Sequence, residues 1–558
     1  MLRSQNLSVV TPDGNEILKK ATVSFAPQKM HALIGPSGCG KTTLMKAILG
    51  MIDHSGGTSF LDDFEIKASD ELAGAIGFVP QFTLAYENLT VRESLEYILK
   101  IGGVPAAKAK TRLQSVLKVV KLTDRAGTRI AALSGGQLRR LGLAMELVLS
   151  PSYLVCDEVT SGLDPNSENE MLALMRELVQ NEGKAIVCII HNLTQLDKFD
   201  TVTVVLKGRV VFQGSPQELL KYFSIQNYLQ LYSVLNSQEI DFWTNLYEKF
   251  QRERNLNGKD QSLPSQTGKS ALSPSIGTQL LSLLSRRTKL FFRDKGYLSL
   301  TLAITFGFPC IVALFAMNGL PSIEQLPLNH SGTFSISAVN EAIRIKLSNS
   351  QVATLATGLV LFQVILLALM GANNGGREIA GERSLYEKER MLGLNPVAYA
   401  FSKLIFTSVI AIFQGVWMCG FVKTICIFPG SWAEQLSIMA GVCLAMTLIC
   451  LGFSSLMKSA EKASLLTIYL VGFQLPLSGI VLELPDALVW VFRPFVNAFW
   501  GWSGFFDAMN DSQIYDAYTS MNPNADIFTF STSFIVLLIQ ALAGTLMLLA
   551  GCIRRQKN

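Results

Sequence analysis

The sequence predicts two architectures in series, an α/β phosphate-loop domain followed by an all-α six-helix transmembrane domain. Three observations predict it. The chain has 558 residues, too many for one core, and its mean hydropathy of +0.33, with 49% apolar and 16% charged residues, exceeds that of a soluble protein. The apolarity is unevenly placed: to about Lys295 the sequence is mixed and charged, and from Tyr297 onward it is mostly long apolar runs. Finally, GPSGCGKT (Gly35 to Thr42) follows MHALI, suited to a buried strand, and precedes TLMKAILGMI, which has helical spacing. That is the strand–loop–helix context of a phosphate-binding loop.

Within that loop, Gly35, Gly38 and Gly40 let the backbone curl around a β-phosphate, and Pro36, Ser37, Cys39 and Thr43 complete the stretch. Lys41 offers a point charge to the β- and γ-phosphates, and Thr42 a ligand for Mg²⁺. YLVCDE (Tyr153 to Glu158) is an apolar strand ending in two acids. Asp157 is placed to hold Mg²⁺, and Glu158 to polarise an attacking water. Gln81, after the apolar run of GFVPQF, is placed to reach the metal or the water, and His191, ending AIVCIIHN, to donate to the γ-phosphate. Singly, each has a plainer reading: an acidic strand end, a surface amide, a structural histidine. LSGGQ (Leu133 to Gln137) is a second small-residue loop before a helix, so Ser134, Gly135, Gly136 and Gln137 read as another phosphate grip. SGLD, ending at Asp164, follows the acidic strand at once.

Taken in order, Gly35–Thr42, Gln81, Leu133–Gln137, Asp157–Glu158, Ser161–Asp164 and His191 resemble the motif set of the ABC transporters. The resemblance implies ATP as the nucleotide and a head-to-tail pair of nucleotide domains, in which LSGGQ of one chain closes on the γ-phosphate held by the other. One chain then needs a second half-transporter chain. With Glu158 and both motifs intact, a homodimer has two competent sites; a heterodimer with a related half is the alternative. The family usually stacks adenine on an aromatic residue ahead of the phosphate loop. Here Phe25 is the first aromatic, and Val10 or Pro12 offers only an apolar platform.

The nucleotide-binding domain is expected over residues 1–215, with a connector over 216–296. Ser215, Pro216 and Glu218 read as a helix start. NLNGKDQSLPSQTGKSALSPSIG reads as a flexible linker. Leu281, Leu284, Leu290, Phe291 and Phe292 among Arg286, Arg287, Lys289, Arg293 and Lys295 read as a basic amphipathic helix lying on the cytoplasmic leaflet.

The transmembrane domain is expected over 297–558, with spans near 297–317, 351–371, 403–423, 435–456, 463–482 and 531–552. Lys and Arg concentrate before the first span, in the loop 372–402, at Lys458 and Lys462, and in the tail RRQKN. The segment 483–530 carries Glu483, Asp486, Asp507, Asp511, Asp516 and Asp526 against Arg493 alone. The acidic segment is therefore expected outside, and the nucleotide domain and both termini in the cytoplasm. ALVWVFRPFVNAFWGWSGFFDAM within it reads as re-entrant, with Trp490, Trp500 and Trp502 at headgroup depth. A seventh span is the competing reading; it would put the basic tail outside. No cleavable leader is expected before residue 30. The basic residues flank apolar runs instead of forming one patch with stacking aromatics, so nucleic acid is excluded as a partner. The nine cysteines have no metal-ligand spacing and read as apolar filler.

The loop from Gly376 to Lys403 is densely charged and suited to docking on the ATPase. REIxxERxxYxxERMxGLxxxAYxxSK within it, ELLKYF after the nucleotide domain, and the domain order resemble G-type (White-like) half-transporters. That resemblance implies ATP-driven export of lipid-like, hydrophobic or amphipathic cargo across the bilayer of a cell membrane. Gln363, Gln414 and Gln474, with Phe362 and Phe473, are placed to line a path or simply to pack. The alternatives are a membrane-bound ATPase doing mechanical or regulatory work without transport, and an importer, which the fused domain order disfavours.

Overall fold

The structure is a computed structural model and describes residues 1–11, 13–256, 275–317, 319–323, 336–481, 485–523 and 525–554. Pro12, most of the expected linker, Glu483 and the tail beyond Arg554 lie outside the described residues. The chain divides into two units. The first comprises Met1–Ser282 together with Ser384–Asn395, and the second Leu283–Arg383 with Pro396–Arg555.

In the first unit, β1 (Leu2–Val10), β2 (Glu16–Phe25), β3 (Met30–Ile34), α1 (Lys41–Ile48), β4 (Gly56–Leu61), β5 (Phe64–Glu65) and β6 (Ile76–Val79) come first. Then follow α2 (Val91–Ile101), α3 (Ala106–Val119), α4 (Gly135–Leu147), β7 (Tyr153–Asp157), α5 (Pro165–Glu182), β8 (Ala185–Ile189), β9 (Thr201–Leu206) and β10 (Arg209–Gly214). The connector contributes α6 (Pro216–Tyr222), α7 (Leu231–Asn236) and α8 (Ile240–Leu256). One sheet runs β10-β9-β3-β8-β7-β6, parallel from β9 to β6, and a second, antiparallel, runs β2-β1-β4-β5. β3, β7 and β8 are buried at every position. This is why MHALI, YLVCD and AIVCI are continuous apolar runs instead of alternating ones: both faces of a parallel sheet are covered.

The helix α9 (Ile276–Arg293) begins in the first unit and ends in the second. Next come α10 (Lys295–Ala313), α11 (Ile336–Gly375), α12 (Arg383–Met391), α13 (Pro396–Cys426) and α14 (Trp432–Leu456). After them come α15 (Ala460–Gly472), α16 (Gln474–Leu477), α17 (Asp486–Phe492), α18 (Asn497–Asp507), α19 (Gln513–Met521) and α20 (Phe530–Ile553). Small residues set the helix packing in this unit. A Cβ on Gly375 of α11 would meet the Thr447 carbonyl oxygen at 2.3 Å, and one on Gly544 of α20 would meet the Leu448 carbonyl carbon at 2.4 Å. Backbones that close leave no room for a side chain, the usual solution between membrane helices.

Three expectations change here. Among the described residues, five helical stretches are long and apolar enough to cross a membrane: Lys295–Ala316, Val339–Met391, Pro396–Cys426, Trp432–Leu456 and Phe530–Ile553. The expected span 463–482 is instead α15 and α16, broken at Phe473 and ending shortly after Pro476, because proline cannot donate to the helix ladder. Trp500 and Trp502 are buried within the unit, with Trp502 against Phe506 and Tyr518; Trp490 is exposed. Arg287 of the pre-membrane helix is half-buried and ion-paired to Glu378, and Glu378 is also paired to Lys403.

The three glutamines pack. Gln414 accepts from Asn374 at 2.7 Å and donates to Thr305 at 3.0 Å, and Gln474 accepts from the Ala498 N–H at 3.0 Å. Gln363 is buried as well.

Candidate nucleotide-binding site

The phosphate loop joins β3 to α1, Gln81 follows β6, Asp157 and Glu158 end β7, and His191 follows β8. These four strands are neighbours in one sheet, so its topology gathers their carboxyl ends into a single crevice. Residues separated by more than a hundred positions thereby come into contact.

The loop is held open by conformations that suit glycine: φ is +76° at Gly38 and +100° at Gly40, which caps α1. Ser37 and Gly38 are exposed at its crown, and nothing lies within 4 Å of a Cβ on Gly38. Pro36, Cys39 and Thr43 flank the crown, and Cys39 is buried beneath it. Lys41 is buried, and its Nζ donates to the carbonyls of Gly35 at 2.9 Å and Pro36 at 3.0 Å.

Two side-chain groups assemble beside the loop. Thr42 Oγ1 donates to Asp157 Oδ1 at 3.1 Å. Glu158 accepts on both oxygens, from Gln81 Nε2 at 2.9 Å and from His191 Nε2 at 2.5 Å. Glu158 itself stands at φ +52°, an uncommon conformation for a non-glycine residue that places its carboxylate between the two strand-end partners. Burial pushes the Asp157 carboxyl above its ordinary range, against the lowering effect of the Thr42 hydrogen bond.

The second loop has a different setting. Ser134 caps α4 in a reciprocal box: its Oγ accepts from the Gln137 N–H at 3.4 Å, and Gln137 Oε1 accepts from the Ser134 N–H at 3.1 Å. Ser134 and Gly135 are exposed, nothing lies within 4 Å of a Cβ on Gly135 or Gly136, and among the described residues no hydrogen bond joins residues 134–137 to the phosphate loop. Asp164 caps α5, accepting from the N–H groups of Asn166 at 3.1 Å and Ser167 at 3.0 Å.

The other end of α4 carries a contact that the sequence reading did not name. Glu146 is buried; its Oε2 accepts from the Phe78 N–H at 3.2 Å, and its Oε1 lies 3.2 Å from Lys388 Nζ. Phe78 is on β6, which leads directly to Gln81. Lys388 is on the segment Ser384–Asn395, which the first unit includes. That segment is held further by Arg390 with Asp70, by Met391 in the hydrophobic core, and by Gln279, which donates to the Gly393 carbonyl at 2.9 Å. A docking role was legible for the charged loop, but no local signal pointed to Glu146.

Comparison with known proteins finds both domains. Residues 18–161 match the family described as ABC transporter, and residues 278–500 the family described as ABC-2 type transporter. The chain belongs to the ABC transporter family. Its order, ATPase domain first and ABC-2 membrane domain second, is that of a G-type half-transporter, and the second domain makes it an integral membrane protein. An ABC transporter ATP-binding/permease protein of Mycobacterium tuberculosis is 27% identical over 88% of this chain and 56% of its own length. A methionine import ATP-binding protein of Bacillus cereus is 32% identical over 42% of this chain and 73% of its own. A solved ATP-binding subunit of an ABC transporter is 25% identical, covering 42% of this chain and 99% of its own, with a TM-score of 0.39. The chain thus spans little more than half of the mycobacterial relative.

Proposed function

We propose that this ABC transporter hydrolyses ATP as a dimer and uses the cycle to export a lipid-like or amphipathic substrate. The observation that carries the reading is the division of the site. One chain assembles Lys41, Thr42, Asp157, Gln81, Glu158 and His191 in one crevice, while the second loop, preformed by its capping box and exposed at Ser134 and Gly135, makes no hydrogen bond to the phosphate loop among the described residues. A second chain, related by two-fold symmetry, brings each exposed loop to the other's crevice. A homodimer satisfies this with two equivalent sites.

In the proposed reaction, Lys41 leaves the Gly35 and Pro36 carbonyls for the β- and γ-phosphates. Glu158 orients the attacking water, with Gln81 fixing its carboxylate, and His191 turns from Glu158 to donate to the γ-phosphate as charge develops. The Thr42 hydroxyl and Asp157 carboxylate are hard oxygen donors at hydrogen-bond separation, a set suited to Mg²⁺, with Gln81 nearby. When bound, Mg²⁺ supplies charge neutralisation to the phosphates.

Coupling to the membrane domain runs through Lys388, Glu146 and Phe78. Movement of β6 or α4 when ATP closes the dimer is passed to the segment Ser384–Asn395, which is continuous at both ends with the second unit. The distribution of Lys and Arg along the sequence supports a cytoplasmic nucleotide domain, with both termini on the same side of a cell membrane. The test is ATP-dependent uptake of labelled lipids and amphiphiles into inside-out vesicles, with Glu158→Gln as the control. Uptake by the unaltered chain alone supports export. Robust hydrolysis without uptake of any of them favours the mechanical ATPase.

A further inference from the structure

Beyond the nucleotide domain's last strand, the connector carries two tyrosines four residues apart, one bonded to the turn that follows His191 and the other to the phosphate loop. Tyr228 Oη donates to Asp197 Oδ1 at 2.6 Å. Asp197 lies in the short 3₁₀ turn Leu193–Lys198, which begins two residues after His191 and is capped by Asn192. Tyr232 Oη donates to the Gly35 carbonyl at 3.3 Å, the same oxygen that accepts from Lys41. The segment that carries them is anchored: Leu231 and Leu235 are buried, and Trp243 Nε1 of α8 donates to the Leu235 carbonyl at 3.2 Å. Gly35 is fixed from behind, since a Cβ there would lie 2.1 Å from the Val205 carbonyl oxygen of β9. Burial raises both phenol pKa values, Tyr228 to about 12 with help from Asp197, so both remain donors at neutral pH.

We propose that Tyr228 and Tyr232 are positioning residues of the ATP site, forming a brace that ties the segment behind His191 to the first glycine of the phosphate loop. The proposal rests on the reading of Lys41 and His191 as nucleotide residues. The Gly35 carbonyl has two donors, Lys41 and Tyr232. When Lys41 turns to the phosphates, Tyr232 is the donor that remains, and it keeps the loop in its phosphate-binding shape. The two tyrosines therefore affect different steps. Tyr232 acts on ATP capture, and Tyr228 on the placement of His191 during turnover.

The test is steady-state ATP hydrolysis by the full chain in lipid nanodiscs, comparing Tyr232→Phe, Tyr228→Phe and Lys41→Ala, with thermal melting as the folding control. Losing the hydroxyl of Tyr232 raises KM for Mg·ATP about five- to tenfold and leaves kcat within about twofold. Losing that of Tyr228 lowers kcat by about tenfold and leaves KM within about twofold. Unchanged KM in Tyr232→Phe overturns the brace. So does a loss in both variants that merely follows the folded fraction. Should Tyr232→Phe melt early, amide exchange over residues 35–40 of the folded fraction decides: faster exchange supports the brace and unchanged exchange refutes it. Full hydrolysis by Lys41→Ala would instead overturn the nucleotide-site reading beneath it.

Discussion

Replacing Lys388 by methionine isolates the contact at the far end of α4. Methionine keeps most of the side-chain volume and removes the charge, so Glu146 is left buried with only the Phe78 N–H. In the intact chain burial already pushes this carboxyl above its ordinary 4.5, and Lys388 opposes the rise. Breaking a buried pair typically costs about 3–5 kcal/mol when the remaining charge has no escape. Here it has one, because Glu146 can take up a proton. Neutralising a carboxyl of ordinary pKa 4.5 at pH 7 costs about 3.4 kcal/mol, which sets the ceiling on the loss. The same step at pH 5.5 costs about 1.4 kcal/mol. The sign follows: in the variant the folded pKa lies above the unfolded one, so stability is retained at low pH and lost as pH rises. Amide exchange of the full chain, read on peptides covering residues 76–79 and 384–395 and corrected for intrinsic rates, reports this local opening. Exchange should accelerate up to about 300-fold at pH 7 and about tenfold at pH 5.5. The double variant Glu146→Gln with Lys388→Met should recover most of the protection, since the amide oxygen still accepts from Phe78. An acceleration that is equal at both pH values, or a double variant no better than the single, would refute the reasoning.

Three further outcomes are expected. Glu158→Gln should bind ATP and hold the dimer closed while kcat falls at least about 100-fold; near-normal turnover would remove Glu158 from its role. His31 is buried, and burial lowers its pKa to about 4. The unfolded chain takes up that proton near 6.5, so the first unit should lose about 3 kcal/mol as pH falls from 6.5 to 4, and His31→Gln should flatten that limb in denaturant titrations. Gly375→Ala forces a Cβ against the Thr447 carbonyl and should cost about 1–3 kcal/mol in the second unit. Gly358→Ala on the same helix has nothing within 4 Å and should be neutral or slightly stabilising, which the two melting curves will show.

The candidate nucleotide site was legible where its parts are local. Gly35–Thr42 and Leu133–Gln137 carry their own backbone requirements, and continuous apolar runs such as YLVCD mark parallel strands without any partner in view. Glu146, Lys388, Tyr228 and Tyr232 were not legible, since each acts across a long sequence separation through a partner that only the fold supplies. Tyr232 reaches a backbone carbonyl, a group that every residue possesses and that no motif can mark. In the membrane unit, hydropathy found the long helices but not the burial of Trp500 and Trp502. An apolar segment with Arg493 and Pro494 has one composition whether it lies at an interface or inside a protein core. Arg493 is ion-paired to Asp526 at 2.8 Å, so its charge is met within the protein.

The ion pair on α4 also orders events at the ribosome. Glu146 is synthesised with its strand and helix neighbours, but Lys388 emerges only after the connector, α10 and α11. At roughly 5–20 residues per second, the nascent nucleotide domain waits some tens of seconds with a buried carboxyl lacking its countercharge. Throughout that wait, Glu146 is held as the neutral acid or α4 stays loose against β6. Final consolidation of the nucleotide domain thus follows insertion of the first membrane helices. Pulse proteolysis of stalled nascent chains should detect that order as protection of α4 gained once residue 395 has left the exit tunnel.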